Sequence, residues 1–303
     1  RRFVAAAESS VGTALGLGHV ARFEGGASGD LAGELRAWLA ERLRSGARKF
    51  VVAGGDGTVN LALSTYVSLR DEGHPSNAVF GAVGLGSSND FQKPFDSDKR
   101  ARLAGFACRL DFNEAFAHDV GTLVIDGEKR ARHFFVNASM GVTAEANDRF
   151  NRGGPGLRAM KRVWVDGAIL GAALSTFAGY ENRAIRLALD GENPVELQLT
   201  NLGVIKNRHF SGSFRYDTGP APDDGMLGVR ICRDMSRVEM LGTLGSLAQG
   251  RFSGLSKRSG RDAKDVRVES ATGTKLAVET DGEVVLATGC RFGVRQKEIM
   301  LCP

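Results

Sequence analysis

The sequence contains a glycine-rich segment with one acid, residues 54–58 (GGDGT), whose composition suits phosphate chemistry. Glycine allows backbone N–H groups to approach a polyanion closely, and a helix that starts there adds positive potential at its N-terminus. Asp56 would repel a phosphate unless a divalent cation or a hydroxyl proton lay between them. The segment therefore indicates metal binding or proton transfer, and the alternative is an ordinary strand-to-helix turn capped by Asp56.

Two further segments carry polar groups that could take part in the same chemistry. Residues 84–91 (GLGSSNDF) follow an apolar run and combine small hydroxyls, an amide and an acid, which suit phosphate oxygens and a metal-bound water. Adjacent parallel strands lie only about 4.8 Å apart, so this segment and residues 54–58 can share a site. Residues 281–283 (DGE) contain Asp-Gly, and by spacing alone they predict only a hairpin turn.

The first half of the chain reads as alternating helices and strands. Leucines at intervals of four predict an amphipathic helix over 31–43, and an apolar run predicts a short buried strand over 49–53. Helical spacing returns over 59–69, and a second strand is predicted over 78–85. This alternation is typical of an open parallel sheet, whose ligands bind beyond the carboxyl ends of the strands.

The second half changes character near His118. Short, partly alternating segments over 226–230, 266–269 and 275–279 predict antiparallel strands, which favours a β-sandwich. One helix is predicted over 238–249, with Gly250 beyond its end. The predicted fold is therefore α/β followed by all-β.

Length and composition indicate a soluble protein of two domains. The chain has 303 residues, of which 42% are apolar and 25% charged, and its formal net charge is +5. Its longest apolar stretch, around residues 168–180, is shorter than the roughly 20 residues that cross a bilayer, and no secretory signal is visible. We therefore expect a cytoplasmic protein. The four cysteines follow neither a disulfide nor a zinc pattern.

Lysine and arginine are concentrated in two stretches, residues 149–162 and 251–267. Such patches attract anionic lipid surfaces, with each cation contributing roughly 1 kcal/mol close to a membrane, although either stretch alone is more often a solvated loop. Aromatic residues do not alternate with these cations, as a stacking platform for nucleic acid requires. We therefore expect transient membrane association and no nucleic-acid partner.

The segments 54–58, 84–91 and 281–283, in this order, resemble the diacylglycerol kinase catalytic family, in particular its soluble bacterial lipid kinases. That family is related to sphingosine and ceramide kinases and belongs to an NAD kinase-like superfamily. Residues 118–121 (HDVG), 134–141 (FFVNASMG) and 222–227 (PDDGML) look like its D-x-G element, its F-x-N-x-x-x-G strand and its D-G-x-L turn. The resemblance covers most of the chain.

The resemblance implies a nucleotide-binding α/β domain over residues 1–117 and a β-sandwich lipid-substrate domain over 118–291. The tail over about 292–303 is expected to return to the first domain, and the active site to lie in the cleft between the domains. The family's opening strand with N-P-x-S-G is not found before Arg22, and Leu61 stands where the family has glutamate. The missing strand bears on nucleotide affinity, and Leu61 is consistent with a divergent branch, an altered nucleotide preference or reduced activity.

The resemblance also assigns roles to individual residues. The implied proton acceptor is Glu283, together with Asp281. The implied ligands of a catalytic Mg²⁺ are Asp56, Asp90 and Asp119, of which Asp56 also counts as catalytic. The implied nucleotide contacts are Gly54, Gly55, Asp56, Gly57, Thr58, Asn60 and Ser87. A structural Mg²⁺ at the D-G-x-L turn would use the Asp224 side chain and the backbone carbonyls of Ala221 and Met226.

The function implied is transfer of the γ-phosphate of ATP, or another nucleoside triphosphate, to a lipid hydroxyl with Mg²⁺. Diacylglycerol, a sphingoid base or a related lipid at a membrane surface would be the acceptor. One alternative is an NAD kinase-like enzyme, which shares G-G-D-G-T and for which Asn113-Glu114 offers an Asn-Glu pair. The other is a non-catalytic protein that binds nucleotide or lipid. The oligomeric state, a homodimer included, stays open.

Overall fold

The computed structural model describes residues 20–23, 30–93, 101–103, 105–153 and 175–303. Part of the basic stretch 149–162 and most of the apolar stretch 168–180 lie outside these residues. No helix within the described ranges is long and apolar enough to cross a membrane. The chain divides into two compact units, which we describe separately.

The first unit consists of residues up to His118 together with Lys297–Pro303. Its helices are α1 (Leu31–Arg44) and α2 (Asp56–Asp71). Its strands are β1 (Lys49–Gly54), β2 (Val79–Gly84), β3 (Arg102–Leu103) and β4 (Phe106–Arg109).

Strand β2 is the centre of the sheet in this unit. It pairs in parallel with β1, from Lys49 opposite Val79 to the ends of both strands. Near its start, β2 also pairs in parallel with Met300 and Leu301 of the chain's last strand, and near its end it pairs antiparallel with β4. Its residues are almost all buried, which is why it reads as an uninterrupted apolar run.

The two helices of the first unit pack through apolar stripes. Helix α1 begins after Asp30, whose side chain accepts a hydrogen bond from the N–H of Gly33 at 2.9 Å. Tyr66 on α2 is fully buried, and its ring lies 4.8 Å from that of Phe80 on β2. This ring contact packs α2 against β2.

The second unit spans Asp119–Gln296 and contains most of the strands. Strand β5 begins, and β17 ends, with residues of the first unit. Its helices include α3 (Val142–Arg152) and α4 (Arg237–Ala248), and residues 175–179 are also helical. The strands are β5 (Phe116–Ile125), β6 (Arg132–Phe134), β7 (Asn137–Gly141), β8 (Arg183–Leu189), β9 (Val195–Ile205), β10 (His209–Phe210), β11 (Phe214–Arg215), β12 (Leu227–Arg233), β13 (Arg258–Ala263), β14 (Asp265–Ser270), β15 (Leu276–Thr280), β16 (Glu283–Ala287) and β17 (Gly289–Leu301).

Strand β9 organises this unit. It pairs antiparallel with β8 along its first half and with β7 along its second half, while β12 pairs along its other edge. Leu202 and Val204 belong to a large apolar core that the strands enclose. Ile205 instead joins a second cluster with residues of α3, α4 and the segment around Tyr216. Phe210 and Phe214, which are partly buried, pack against that second cluster.

The predicted fold class is confirmed: a mixed α/β unit is followed by a largely antiparallel β unit. The predicted strands over 49–53 and 275–279 and the helix over 238–249 are found within a residue or two of their expected limits. The predicted helical range 59–69 lies within α2, which begins three residues earlier because residues 56–58 form its first turn and Gly55 is its N-cap. The domain limits drawn from the sequence stay a prediction.

Candidate functional site

In the first unit, the ends of β1 and β2 bring the two predicted phosphate segments together. The strands end in register, with Gly54 opposite Gly84, and the N–H of Leu85 donates to the carbonyl oxygen of Gly54 at 2.9 Å. A Cβ atom on Gly86 would lie 2.6 Å from the Cα of Gly55. Only glycine allows the two backbones to approach this closely. These glycines therefore set the distance between the two segments and also leave their backbone accessible.

Asn89 holds the tip of the second segment. Its backbone has φ +49°, in the left-handed region. Its side-chain Oδ1 accepts from the N–H of Gly86 at 2.9 Å, and its Nδ2 donates to the carbonyl oxygen of the same residue at 2.9 Å. Both backbone polar groups of Gly86 are thereby engaged, and the adjacent Ser87 is left exposed on a defined turn.

Asp56 is the first residue of α2, but it does not cap the helix. Gly55 is the N-cap and makes no side-chain hydrogen bond, so the alternative in which Asp56 caps the helix was wrong. Asp56 Oδ1 instead accepts from the N–H of Phe91 at 2.9 Å, which joins the two segments. Burial, and then the negative charge of Asp90, raise the pKa of Asp56 above its ordinary value.

Asp90 lies beside Asp56 and has a cationic partner that the sequence did not suggest. Its carboxylate forms an ion pair with Lys93, and both side chains are buried. Arg109 on β4 is also buried, and it donates to the carbonyl oxygens of Phe91 at 2.7 Å and Lys93 at 2.6 Å. Arg109 thus holds the turn that carries Asp90 and Lys93.

The groups left facing solvent at this edge are small and polar. Gly57, Thr58 and Ser87 are exposed, and a Cβ atom on Gly57 would meet nothing within 4 Å. The first N–H groups of a helix lack intrahelical partners and favour anions. Asn60, one turn into α2, is half-buried and accepts from the hydroxyl of Ser64 at 3.2 Å. This edge can therefore bind phosphate oxygens.

Of the acids in the first unit, Asp56 suits a divalent cation best. Burial, and to a lesser extent the charge of Asp90, raises its pKa, and a bound cation would offset that cost of ionising Asp56. Asp90 is already paired with Lys93. Across the described ranges, no group of three or more His, Cys, Asp or Glu residues is arranged to hold a metal ion by itself. A metal at this edge would therefore need ligands from its substrate.

In the second unit, Asp281 and Gly282 form the predicted two-residue hairpin turn between β15 and β16. Their φ angles are +44° and +97°, as a tight hairpin of this type requires, so the turn prediction is confirmed. The Asp281 carboxylate accepts from the N–H groups of Phe135 at 2.8 Å, Val136 at 3.1 Å and Asn137 at 2.9 Å. These three donors favour a structural role for Asp281 over proton transfer.

Glu283, the first residue of β16, has an exposed side chain, unlike the buried Glu279 on β15. Behind it, Asn151 on α3 donates to the carbonyl oxygen of Gly282 at 2.8 Å and fixes the turn. Glu279 on β15 is buried, and its carboxylate accepts from the Ser139 hydroxyl at 2.7 Å and from the N–H of Gly282 at 2.5 Å. Burial raises the pKa of Glu279 to about 7.

The oxygens expected to bind a structural Mg²⁺ surround a lysine. Lys206 Nζ donates to the carbonyl oxygens of Ala221 at 2.9 Å and Met226 at 2.8 Å, and to Asp224 Oδ1 at 3.4 Å. It also donates to Asp119 Oδ2 at 2.9 Å, and neither Lys206 nor Asp119 is exposed to solvent. These residues therefore do not fit a bound metal, and Asp119 is not available to a catalytic Mg²⁺ as the resemblance implied.

Sequence reasoning missed Lys93, Arg109, Lys206 and Glu279. Lys93 follows Asp90 by three residues, a spacing that could have suggested the ion pair. The other three have partners far along the chain or buried among apolar residues, and no local pattern marks them.

Two known protein families match this chain, one in the first unit and one mainly in the second. A family described as "Diacylglycerol kinase catalytic domain" matches residues 27–109. A second, described as "YegS C-terminal NAD kinase beta sandwich-like domain", matches residues 137–302, which is more than half of the chain.

Individual relatives agree with these matches. A diacylglycerol kinase of Mycobacterium tuberculosis is 25% identical over 239 residues, covering 78% of this chain and 71% of the relative. A probable lipid kinase YegS-like protein of Xanthomonas euvesicatoria pv. vesicatoria is 25% identical over 256 residues, covering 83% and 77%. A crystal structure of a diacylglycerol kinase from Bacillus anthracis str. Sterne has a TM-score of 0.58 at 17% identity, covering 89% of this chain and 81% of that one. The structural likeness supports the fold.

The close approach of Gly55 and Gly86 predicts unequal effects of two alanine substitutions. Gly86→Ala should destabilise the first unit by about 1–3 kcal/mol, because its Cβ would overlap backbone. Gly57→Ala, the matched control, has open space around it and should be neutral or stabilise α2 by up to about 1 kcal/mol. Urea unfolding followed by Trp38 fluorescence, with Trp164 replaced by Phe, measures both. Equal stability of the two variants would contradict this account.

The buried carboxyl of Glu279 predicts a pH-dependent stability. Its folded-state pKa of about 7 lies above its ordinary value of 4.5. Its neutral form therefore stabilises the fold fully below about pH 4.5, and that contribution, on the order of 3 kcal/mol, is lost as pH rises through about 7. Glu279→Gln mimics the neutral acid and should remove this part of the loss between about pH 5 and pH 8 in urea unfolding. Glu181→Gln, at an exposed position, should behave like the wild type; an unchanged pH profile in Glu279→Gln would refute the assignment.

Proposed function

Because the chain belongs to the family in which a diacylglycerol kinase catalytic domain precedes a YegS C-terminal NAD kinase beta sandwich-like domain, we propose that it phosphorylates lipids. The donor is ATP and the first candidate acceptor is diacylglycerol, the lipid in the name of the Mycobacterium tuberculosis relative. A sphingoid base or a related lipid with a free hydroxyl is the next candidate. The reaction takes place at the cytoplasmic surface of a membrane.

The observation that carries this proposal is the edge formed by the ends of β1 and β2. It presents exposed Gly57, Thr58 and Ser87 beside the half-buried acid Asp56, all on backbone fixed by the Gly55–Gly86 approach. Phosphoryl transfer is catalysed mainly by positioning and electrostatics, and such an edge supplies both. The hydroxyls and the N-terminal N–H groups of α2 bind and orient the phosphates.

A divalent cation bound with the nucleotide would offset phosphate charge and help to align the reacting groups. Asp56 is the residue of the first unit that would hold it, with the phosphates as further ligands. Lys93 keeps Asp90 neutralised, so the edge does not accumulate a second uncompensated carboxylate. Gly54 does not need to contact the nucleotide itself. It leaves room for the Thr58 side chain, because a Cβ atom on residue 54 would lie 2.5 Å from the Cβ of Thr58.

Glu283 is the proposed proton acceptor for the lipid hydroxyl. Its exposure leaves it accessible to a substrate, whereas the Asp281 carboxylate is engaged by three N–H groups. Asp281 therefore shapes the turn that presents Glu283. General-base assistance of this kind typically contributes about 10² to 10⁴ in rate.

The acceptor class is tested with γ-labelled ATP and Mg²⁺ in the presence of diacylglycerol, a sphingoid base, a total lipid extract or NAD. We expect label in a lipid product, identified by mass spectrometry. Label in NAD alone would replace the proposal with an NAD kinase. Asn113 and Glu114, the pair that motivated this alternative, are exposed, and the Asn113 N–H donates to Asp111 Oδ1 at 3.0 Å in a local turn. ATP binding without transfer to any acceptor would favour a non-catalytic role.

If Glu283 is the proton acceptor, its substitution should change turnover without changing stability. Glu283→Gln should lower kcat by about 10² to 10⁴ and leave the melting temperature unchanged, because its side chain is exposed. Asp281→Asn should lower the melting temperature, because the amide keeps one acceptor oxygen but places its NH2 donor against at least one of the three N–H groups. The control Glu181→Gln removes an exposed charge elsewhere in the same unit and should change neither quantity. Near-normal turnover in folded Glu283→Gln would exclude this residue as the base.

A further inference from the structure

The ammonium group of Lys206 lies in an arrangement of oxygens that usually belongs to a metal ion. Its partners are two carboxylate oxygens, from Asp119 and Asp224, and two backbone carbonyls, from Ala221 and Met226. Carboxylate and carbonyl oxygens are the ligands that Mg²⁺ and Ca²⁺ prefer in proteins. The shorter distances, 2.8 to 2.9 Å, are those of N–H···O hydrogen bonds rather than of metal–oxygen bonds.

Three of these four oxygen-bearing residues, Ala221, Asp224 and Met226, belong to one turn, and Asp119 contacts it from β5. Asp224 Oδ2 accepts from the N–H of Ala221 at 2.8 Å, and its Oδ1 accepts from the N–H of Met226 at 2.9 Å. Gly225, with φ +71°, donates its N–H to Asp119 Oδ2 at 2.7 Å. The turn thus folds around two carboxylates, and a positive charge must lie among them for the structure to be stable.

Lys206 supplies that charge from a fully buried position. Lysine is almost never fully buried unless it is paired, and here the side chains of both Lys206 and Asp119 have no exposure. The turn leads directly into β12, whose first residue, Leu227, lies in the main apolar core. The ammonium therefore connects β5, through Asp119, with the segment after β9 and the start of β12.

We infer that Lys206 is a built-in replacement for a divalent cation: its ammonium organises the turn over residues 221–226, so the second unit folds without metal at this position. Truncating the side chain then leaves an oxygen cage that selects a hard divalent cation. This inference does not depend on the kinase activity, because it concerns the stability of the second unit.

The test uses the full chain without nucleotide. Lys206→Ala should lower the melting temperature in EDTA by roughly 5–10 °C, because a buried carboxylate loses its partner. Millimolar Ca²⁺ or Mg²⁺ should restore most of that loss, and Lys206→Ala should bind one more equivalent of Ca²⁺ than the wild type in equilibrium dialysis. The wild type should melt at the same temperature in EDTA and in either metal.

Three further variants separate metal replacement from a general loss of packing. Lys206→Met keeps the space filled, so it should be destabilised and not rescued by metal. Asp224→Asn in the Lys206→Ala background should weaken the rescue, because it removes an oxygen charge from the cage. Lys129→Ala, at an exposed lysine of the same unit, should resemble the wild type.

Two results would overturn the inference. One is a wild type whose melting temperature falls in EDTA and which retains a tightly bound divalent cation that Asp224→Asn releases. The other is a Lys206→Ala protein that gains neither stability, nor soluble yield when expressed, nor Ca²⁺ binding when divalent cations are added.

Discussion

A carboxylate stays ionised when buried only with a positive charge or several hydrogen-bond donors beside it, and this constraint sorts the five candidate acids of the site into two groups. Asp90 is paired with Lys93, Asp119 with Lys206, and Asp281 with three backbone N–H groups. These acids hold turns and strands in place. Asp56, with a raised pKa, and Glu283, which is exposed, remain the acids whose charge is available for chemistry.

Asp281 and Asp119, the two structural acids of the second unit, are linked through the same segment of backbone. Asp281 binds the N–H groups of residues 135–137, while the carbonyl oxygen of Val136 accepts from the N–H groups of Lys206 and Asn207. The segment before β7 is therefore held on one side by the hairpin that carries Glu283 and on the other by the residue whose ammonium organises residues 221–226. The turn at Glu283 and the Lys206 cluster are thus joined through residues 135–137.

Local sequence patterns predicted the elements and the turn chemistry but not the partners of the charged residues. The parallel ends of β1 and β2 and the Asp-Gly hairpin follow from short-range spacing, and both are present in the structure. Lys206 and Asp119 are separated by 87 residues, so their pairing depends on the completed sheet and no local periodicity reveals it. For the same reason the D-G-x-L turn suggested a metal site, whereas the cation is supplied from another part of the chain.

The return of the chain's end to β2 has a consequence for how the first unit forms during synthesis. Met300 and Leu301 pair with Val79 and Phe80, and the N–H of Cys302 donates to the carbonyl oxygen of Phe80 at 2.9 Å. Until a ribosome has made residues 300 and 301, that edge of β2 lacks this neighbour. The first unit therefore cannot complete its sheet before those residues emerge, although most of its residues emerge earlier. Its last contacts are long-range ones, and a nascent chain stalled before residue 300 would present an open sheet edge to its surroundings.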